Sequence, residues 1–133
     1  MKSVSELQKE VHTLAVNNGW YDNIQSPYQP HTIAAWLCNI HGEVSEALED
    51  VRGGRMELMF RDTVSGETLS PREREEGQPD SRYKPIGFPS ELADIVIRCL
   101  DTASAMGIDL NEVIELKHEY NKTRSYRHGN KRL

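Results

Sequence analysis

Two pairs of acidic residues have the spacing of metal-binding side chains on a helix. Glu43 and Glu46 are three residues apart, and so are Glu91 and Asp94. Because an α-helix turns by about 100° per residue, the two acids of each pair share one helix face. Carboxylates that converge repel one another and are costly to desolvate, so they either take up protons or hold a divalent cation. Oxygen ligands suit Mg²⁺, and we expect a Mg²⁺ site in which Mn²⁺ could substitute.

Each acidic pair also has an explanation that involves no metal. A Glu-x-x-Glu pattern on a helix commonly marks a face exposed to water. Glu91 and Asp94 fall in the first turn of a predicted helix, where the helix dipole favours carboxylates. The spacing by itself leaves both explanations open.

The elements that would position these acids are predicted helices. Ser3 with Glu6 forms a capping-box pattern, and Asp109 with Glu112 gives a similar helix start. Apolar residues recur at steps of three and four, and glycines end several of the runs. The predicted helices cover about residues 4–18, 32–51, 89–106 and 109–120. Their lengths and short links predict an all-α bundle in a single domain, residues 1–133.

The segment 53–88 interrupts this helical pattern. It is rich in glycine and contains a run of alternating charges, so we interpret it as a loop or lid inserted between the second and third helices. Residues 56–69 also allow a short hairpin around Ser65 and Gly66, although an isolated hairpin is only marginally stable.

The composition excludes several classes of protein. The chain has 133 residues, 37% of them hydrophobic, which allows one modest core. No apolar run reaches the roughly 18 residues of a membrane span, and the first residues lack the apolar stretch of a secretory signal, so we expect a cytoplasmic protein. Cys38 and Cys99 lie in apolar, helical patterns, and we expect both to be reduced and buried.

Charge is distributed unevenly along the chain. Residues 1–116 carry 10 basic and 20 acidic side chains, whereas residues 117–133 carry 6 basic side chains and 1 acidic one. Because binding to nucleic acid requires a positive surface, this acidic body argues against nucleic acid as a partner. A small anion held between a metal ion and the basic tail, residues 122–133, fits the distribution better.

Three motifs, taken in order, resemble the MazG family of all-α nucleoside triphosphate pyrophosphohydrolases. The motifs are His41–Glu49, Gly87–Arg98 and Lys117–Arg124. The resemblance covers about residues 33–51 and 88–131, which is roughly half of the chain. It implies a nucleoside triphosphate substrate and assembly into a homo-oligomer, a dimer or a tetramer.

The resemblance also implies a set of metal ligands. It assigns Mg²⁺ binding to Glu43, Glu46, Glu91 and Asp94. The family often has a second acid directly before the first of these, whereas this chain has Gly42 there. The stretch between Glu46 and Glu91 is also longer than is usual in the family. These departures bear on the number of metal ions, the identity of the base and the choice of substrate.

By the same resemblance, the basic end of the chain contacts the substrate. Lys117, Asn121 and Arg124 have the spacing i, i+4 and i+7, which presents one helix edge to a triphosphate if the fourth helix continues that far. Similarity to the family assigns them, with Tyr126, to phosphate or sugar. The alternative is that these cations complement the dipole at the C-terminus of the helix.

Aromatic residues before the acidic helix are candidates to stack on the base. Trp20 and Trp36 belong to a cluster that also includes Tyr28 and His31. Stacking on aromatic rings is a common way to bind a planar group. The alternative for Trp36 is a place in the core, because it lies on the apolar stripe of its helix.

These features together predict Mg²⁺-dependent hydrolysis of a (deoxy)nucleoside triphosphate to the monophosphate and pyrophosphate, as nucleotide-pool housekeeping. The metal would neutralise phosphate charge and activate a water that attacks the α-phosphorus. Glu46 would accept the proton of that water, and Glu43 is the other catalytic candidate. Two alternatives are a non-catalytic helical interaction module and a nucleic-acid binder that uses the tail. Since four helices cannot easily bury both faces of the third, we expect a second copy to cover the rest.

Overall fold

The computed structural model describes residues 1–24 and 29–132. The chain divides into two compact units, of which the first combines Met1–Pro27 with Leu100–Leu133 and the second is Tyr28–Cys99. Among the described helices, none has the length and apolar composition that crossing a membrane requires.

Helices form most of the described chain. Their bounds are α1 (Val4–Asn17), α2 (Pro30–Arg52), α3 (Phe88–Ala105), α4 (Leu110–Lys122) and α5 (Arg127–Asn130). The four predicted helices are confirmed, with ends that agree to within about two residues. Helix α5 is a four-residue turn in which His128 and Gly129 have positive φ angles, so the regular helix does not continue through the tail.

The first unit is organised around the contact between α1 and α4. Helix α1 begins with the predicted capping box, in which Ser3 Oγ accepts from the Glu6 N–H (3.1 Å) and Glu6 Oε2 accepts from the Ser3 N–H (2.7 Å). The buried Gln8 ties α1 to the start of α4, since its Nε2 donates to Ile108 O (2.8 Å) and its Oε1 accepts from Leu110 N (3.3 Å). These bonds satisfy backbone groups that would otherwise be unpaired at a helix start.

His12 in this unit is partly buried and contacts a residue far along the chain. Its Nδ1 lies 2.7 Å from Asp101 Oδ1, and its ring meets Tyr21 edge-on with the ring centroids 4.9 Å apart. Burial and a hydrogen bond to Asp101 raise the pKa of the Tyr21 hydroxyl. The sequence does not reveal this contact because Asp101 is 89 residues from His12.

Helix α2 in the second unit carries the first acidic pair. Pro30 occupies its first turn, where a missing N–H leaves no helical bond unmade. Ala47 is the buried residue of the helix. Cys38 lies nine residues earlier and therefore on the opposite side, where it is exposed, so the prediction that it is buried is wrong. Cys99 on α3 is partly buried.

The segment between α2 and α3 contains a small antiparallel sheet, and the prediction of an all-α fold is therefore wrong. Its strands are β1 (Met59–Asp62), β2 (Thr68–Leu69) and β3 (Tyr83–Ile86), in the order β2-β1-β3. Phe60 pairs with Leu69 in the hairpin that the sequence allowed, and Met59 pairs with Ile86 across β1 and β3. The third strand gives the hairpin the additional pairing that an isolated hairpin lacks.

Buried side chains of β1 and β3 hold the sheet together. Phe60 and Tyr83 are buried, and the Arg74 guanidinium lies 3.9 Å from the centre of the Phe60 ring. The buried Asp62 accepts from Arg82 Nη2 (3.0 Å) and from the Val64 N–H (2.9 Å). The bond from Arg82, followed by those from the backbone, lowers the pKa of Asp62 to about 2. A paired and charged Asp62 therefore anchors the sheet.

The junction of the sheet with the two acidic helices is closely packed. The Phe88 N–H at the start of α3 donates to Arg55 O (2.9 Å), just after the end of α2. Gly87 has a φ of +95°, and a Cβ placed there would lie 2.2 Å from Glu57 O. Only glycine combines this backbone conformation with so close an approach. The junction therefore connects the end of α2 to the beginning of α3.

Candidate metal centre

Helices α2 and α3 bring three of the four predicted metal ligands together. One carboxylate oxygen from each of Glu43, Glu91 and Asp94 lies within 4.8 Å of the other two, and all three residues are partly buried. Glu43 comes from the middle of α2, whereas Glu91 and Asp94 come from the first two turns of α3. These three acids therefore face one another. They do not simply line a face exposed to water, which is one of the two explanations that the spacing left open.

Glu91 lacks a compensating partner among the described residues. Its Oε2 is buried and accepts no hydrogen bond within that part of the chain. Burial raises the pKa of Glu91, and the charges of Glu46, Asp94, Asp50 and Glu43 raise it further. An ionised carboxylate in such a place is unfavourable until a proton or a cation compensates it.

Asp94 is affected by both signs of charge. Burial raises its pKa most, and the negative charge of Glu43 adds to this effect. Arg98 and Lys84 act in the opposite direction. The pKa of Asp94 is raised overall, because burial and repulsion by Glu43 outweigh the attraction of Arg98 and Lys84.

Glu46, the fourth predicted ligand, lies beside this group rather than within it. Its side chain is exposed, and of the neighbouring charges its negative charge contributes most to the raised pKa of Glu91. It lines a cavity of about 330 Å³ whose other walls are Ser45, Glu49, Asp50 and Glu91. Glu46 is therefore placed at an open, acidic edge of the cluster.

Two arginines pair with acids of α2 at this site. Arg98 Nε donates to Glu43 Oε1 (2.5 Å), and Arg55 Nε donates to Asp50 Oδ1 (2.7 Å). Arg98 lies four residues after Asp94 on α3, yet its hydrogen bond goes to Glu43 on the other helix. Asp50 shares the polar stripe of α2 with Glu43, and this periodicity is the signal that could have included it in the site.

The donor set fits a hard divalent cation. Carboxylate oxygens from two helices converge, and one of them is buried without a hydrogen-bond partner among the described residues. Burial and the like charges of the neighbouring acids together disfavour the metal-free ionised state of Glu91. Mg²⁺ takes oxygen ligands and usually retains waters, so three carboxylates would leave coordination positions for phosphate oxygens. Glu43, Glu91 and Asp94 are the residues that could hold it.

The predicted substrate-contacting residues at the basic end of the chain belong to the first unit. Lys117 and Asn121 are exposed on α4, and the Lys117 ammonium lies 5.3 Å from the centre of the Tyr120 ring. Arg124 and Tyr126 follow the end of α4 at Lys122, so the predicted edge of a continuous helix stops short of Arg124. Their approach to a triphosphate stays a prediction.

The two tryptophans predicted to stack on the base belong to different units. Trp20 follows α1 and is 71% exposed, whereas Trp36 lies on α2 and is partly buried. His31 is exposed at the start of α2, and Tyr28 lies outside the described residues. An exposed Trp20 is available for stacking.

A second cavity, of about 670 Å³, lies within the sheet segment. Phe60 and Tyr83 line it together with the charged residues Arg72, Arg74 and Asp80. None of the three clustered carboxylates borders it. Its lining residues belong to the segment 53–88, which the sequence predicts to be a loop or lid.

We compared the chain with known proteins in three ways, and none gave a match. No family model, no curated protein and no solved structure matches this chain.

Proposed function

We propose that the chain is a Mg²⁺-dependent pyrophosphohydrolase that converts a (deoxy)nucleoside triphosphate to the monophosphate and pyrophosphate. The observation that carries the proposal is the convergence of Glu43, Glu91 and Asp94 from two helices, where a buried oxygen of Glu91 accepts no hydrogen bond from the described residues. The three motifs that resemble the MazG family include these same residues. A structural salt-bridge cluster would have matched its acids with bases, whereas here the acids outnumber the bases around Glu91.

Each side chain has a role in this proposal that follows from its position. Glu43, Glu91 and Asp94 hold the cation, which when bound supplies charge neutralisation for the triphosphate and acidifies water for attack on the α-phosphorus. Glu46 is exposed beside the cluster and accepts a proton from the attacking water. Its exposure to solvent allows that proton to leave after each turnover.

The remaining predicted contacts complete the substrate model. Lys117, Asn121, Arg124 and Tyr126 bind phosphate or sugar, and Trp20 or Trp36 stacks on the base. We further propose that the active form is a homo-oligomer and that it works in the cytoplasm, where nucleotide pools are turned over. Mn²⁺ would substitute for Mg²⁺ because it accepts the same oxygen ligands.

The test is release of pyrophosphate by the purified chain with Mg²⁺, measured across canonical and modified nucleoside triphosphates. We expect at least one substrate to give monophosphate and pyrophosphate in equal amounts. Glu91→Gln should lower kcat by about 100-fold or more, because it removes a ligand charge at the reacting phosphate. Glu10→Gln is the matched control, since Glu10 is an exposed helical acid paired with Lys2 in the other unit.

Two results would contradict the proposal. One is the absence of pyrophosphate release from every triphosphate in the panel. The other is full activity in Glu91→Gln, which would show that the hydrolysis does not use this carboxylate cluster.

A further inference from the structure

The ion pair between Arg98 and Glu43 joins the two acidic helices at the proposed metal site. Arg98 Nε donates to Glu43 Oε1 although the two residues are 55 positions apart. The Glu43 side chain is 12% exposed and that of Arg98 is 41% exposed. The carboxylate is thus held inside, whereas the guanidinium reaches towards solvent.

A guanidinium and a divalent cation compete for the negative charge of the same carboxylate, even where they contact different oxygens. Glu43 supplies one of the three oxygens that gather within 4.8 Å, so a cation held by that group would lie next to Arg98. Two positive groups that contact one carboxylate in a partly buried site repel each other. The long, flexible side chain of Arg98 is already 41% exposed and can move further into the solvent.

We infer that Arg98 is an exchangeable counter-ion: it neutralises Glu43 until a divalent cation binds, and the cation must displace it. The inference rests on the proposed function and adds a residue that sets metal affinity. It distinguishes Arg98 from Arg55, whose partner Asp50 is not among the three clustered acids. Arg98 is accordingly a positioning residue, since it acts through Glu43.

Calorimetric titration of the chelator-treated protein with Mn²⁺, without nucleotide, tests this inference. Arg98→Met keeps most of the apolar stem but removes the charge, and we expect it to bind Mn²⁺ at least about fivefold more tightly than the unaltered chain. Arg98→Lys keeps the charge and should stay close to the unaltered affinity. Arg52→Met is the matched control, because Arg52 forms an exposed pair with Glu49 on α2, and it should change the affinity little.

A second background separates a specific counter-ion from a general effect of charge. In Glu43→Gln, the further change Arg98→Met should give a much smaller gain, since the residue that binds Arg98 is already neutral. An equal gain in that background would overturn the inference, and so would unchanged or weaker Mn²⁺ binding in Arg98→Met alone. Failure of both the unaltered chain and Arg98→Met to bind Mn²⁺ would instead overturn the proposed function.

Discussion

At the scale of single residues, the surroundings of a carboxylate decide the direction of its pKa shift. Asp62 receives bonds from Arg82 and from the backbone, and its pKa falls to about 2. Glu91 is partly buried among other acids and has an oxygen that accepts no bond from the described residues, and its pKa rises. Asp62 has the features of an acid that stabilises the fold, whereas none of the described residues compensates the charge of Glu91.

We therefore expect that removing the charge of Glu91 stabilises the metal-free protein and weakens metal binding. A carboxyl group with a raised folded-state pKa binds its proton more tightly in the folded state, so stability falls as the pH rises from the unfolded pKa through the folded one. In chelator at neutral pH we expect Glu91→Gln to melt at a higher temperature than the unaltered chain. The gap should close near pH 4, where the carboxyl group is protonated in both states.

Scanning calorimetry between about pH 4 and pH 8 measures this effect. Added Mg²⁺ should raise the melting temperature of the unaltered chain and leave that of Glu91→Gln nearly unchanged. Glu10→Gln should follow the unaltered chain in both conditions. A lower melting temperature for Glu91→Gln in chelator would mean that the ionised carboxylate is stabilised without metal.

At the scale of elements, the sheet and its junction determine how α3 begins. Gly87 lies between β3 and α3, and its backbone approaches Glu57 so closely that a side chain has no room. The Phe88 N–H bond to Arg55 O sits next to this contact. Glu91 is in the first turn of α3, so a shift of the junction would move a proposed metal ligand.

We therefore expect Gly87→Ala to be costlier than an ordinary substitution at a positive φ. Gly66 has a φ of +78° with open space around its Cβ position, so Gly66→Ala should cost about 1 kcal/mol from backbone strain alone. Gly87→Ala adds a clash with backbone and should cost about 3 kcal/mol or more. Urea denaturation of both variants checks this, and equal losses of stability would show that the junction relaxes freely.

At the scale of the whole molecule, the described helices leave much apolar surface uncovered. On α2 the exposed apolar side chains recur every three to seven residues along one face and are Leu37, Val44, Leu48 and Val51. On α3, Leu92 and Val96 are also about half exposed. Monomeric proteins rarely leave a continuous apolar stripe of this length in water. This surface supports the proposed homo-oligomer.

Light scattering after size-exclusion chromatography should therefore give a mass of at least two chains. We expect the double change Leu37→Glu and Leu48→Glu to yield a monomer, because it places two charges in the apolar stripe. Ala35→Glu is the control, since Ala35 is exposed on the opposite side of α2 from Leu48 and should leave the mass unchanged. A monomeric unaltered chain would contradict the prediction.

The amino-acid sequence by itself determined the helices and the acidic residues that they carry. Helix periodicity and capping depend on residues within one or two turns, as with Ser3 and Glu6, so they can be predicted locally. The hairpin between β1 and β2 was also within reach, because its turn is short. For the same reason the pairs Glu43 with Glu46 and Glu91 with Asp94 could be assigned to shared helix faces.

Only the tertiary structure decided which of these residues meet. Strand β3 pairs with β1 across some twenty residues, and no local pattern encodes that register. The choice of Glu43 over Asp94 as the partner of Arg98, and the place of Glu46 at the edge of the cluster, depend on how α2 and α3 pack. Spacing along one helix fixes only the direction in which a side chain points, whereas the distance to another helix depends on every contact between them.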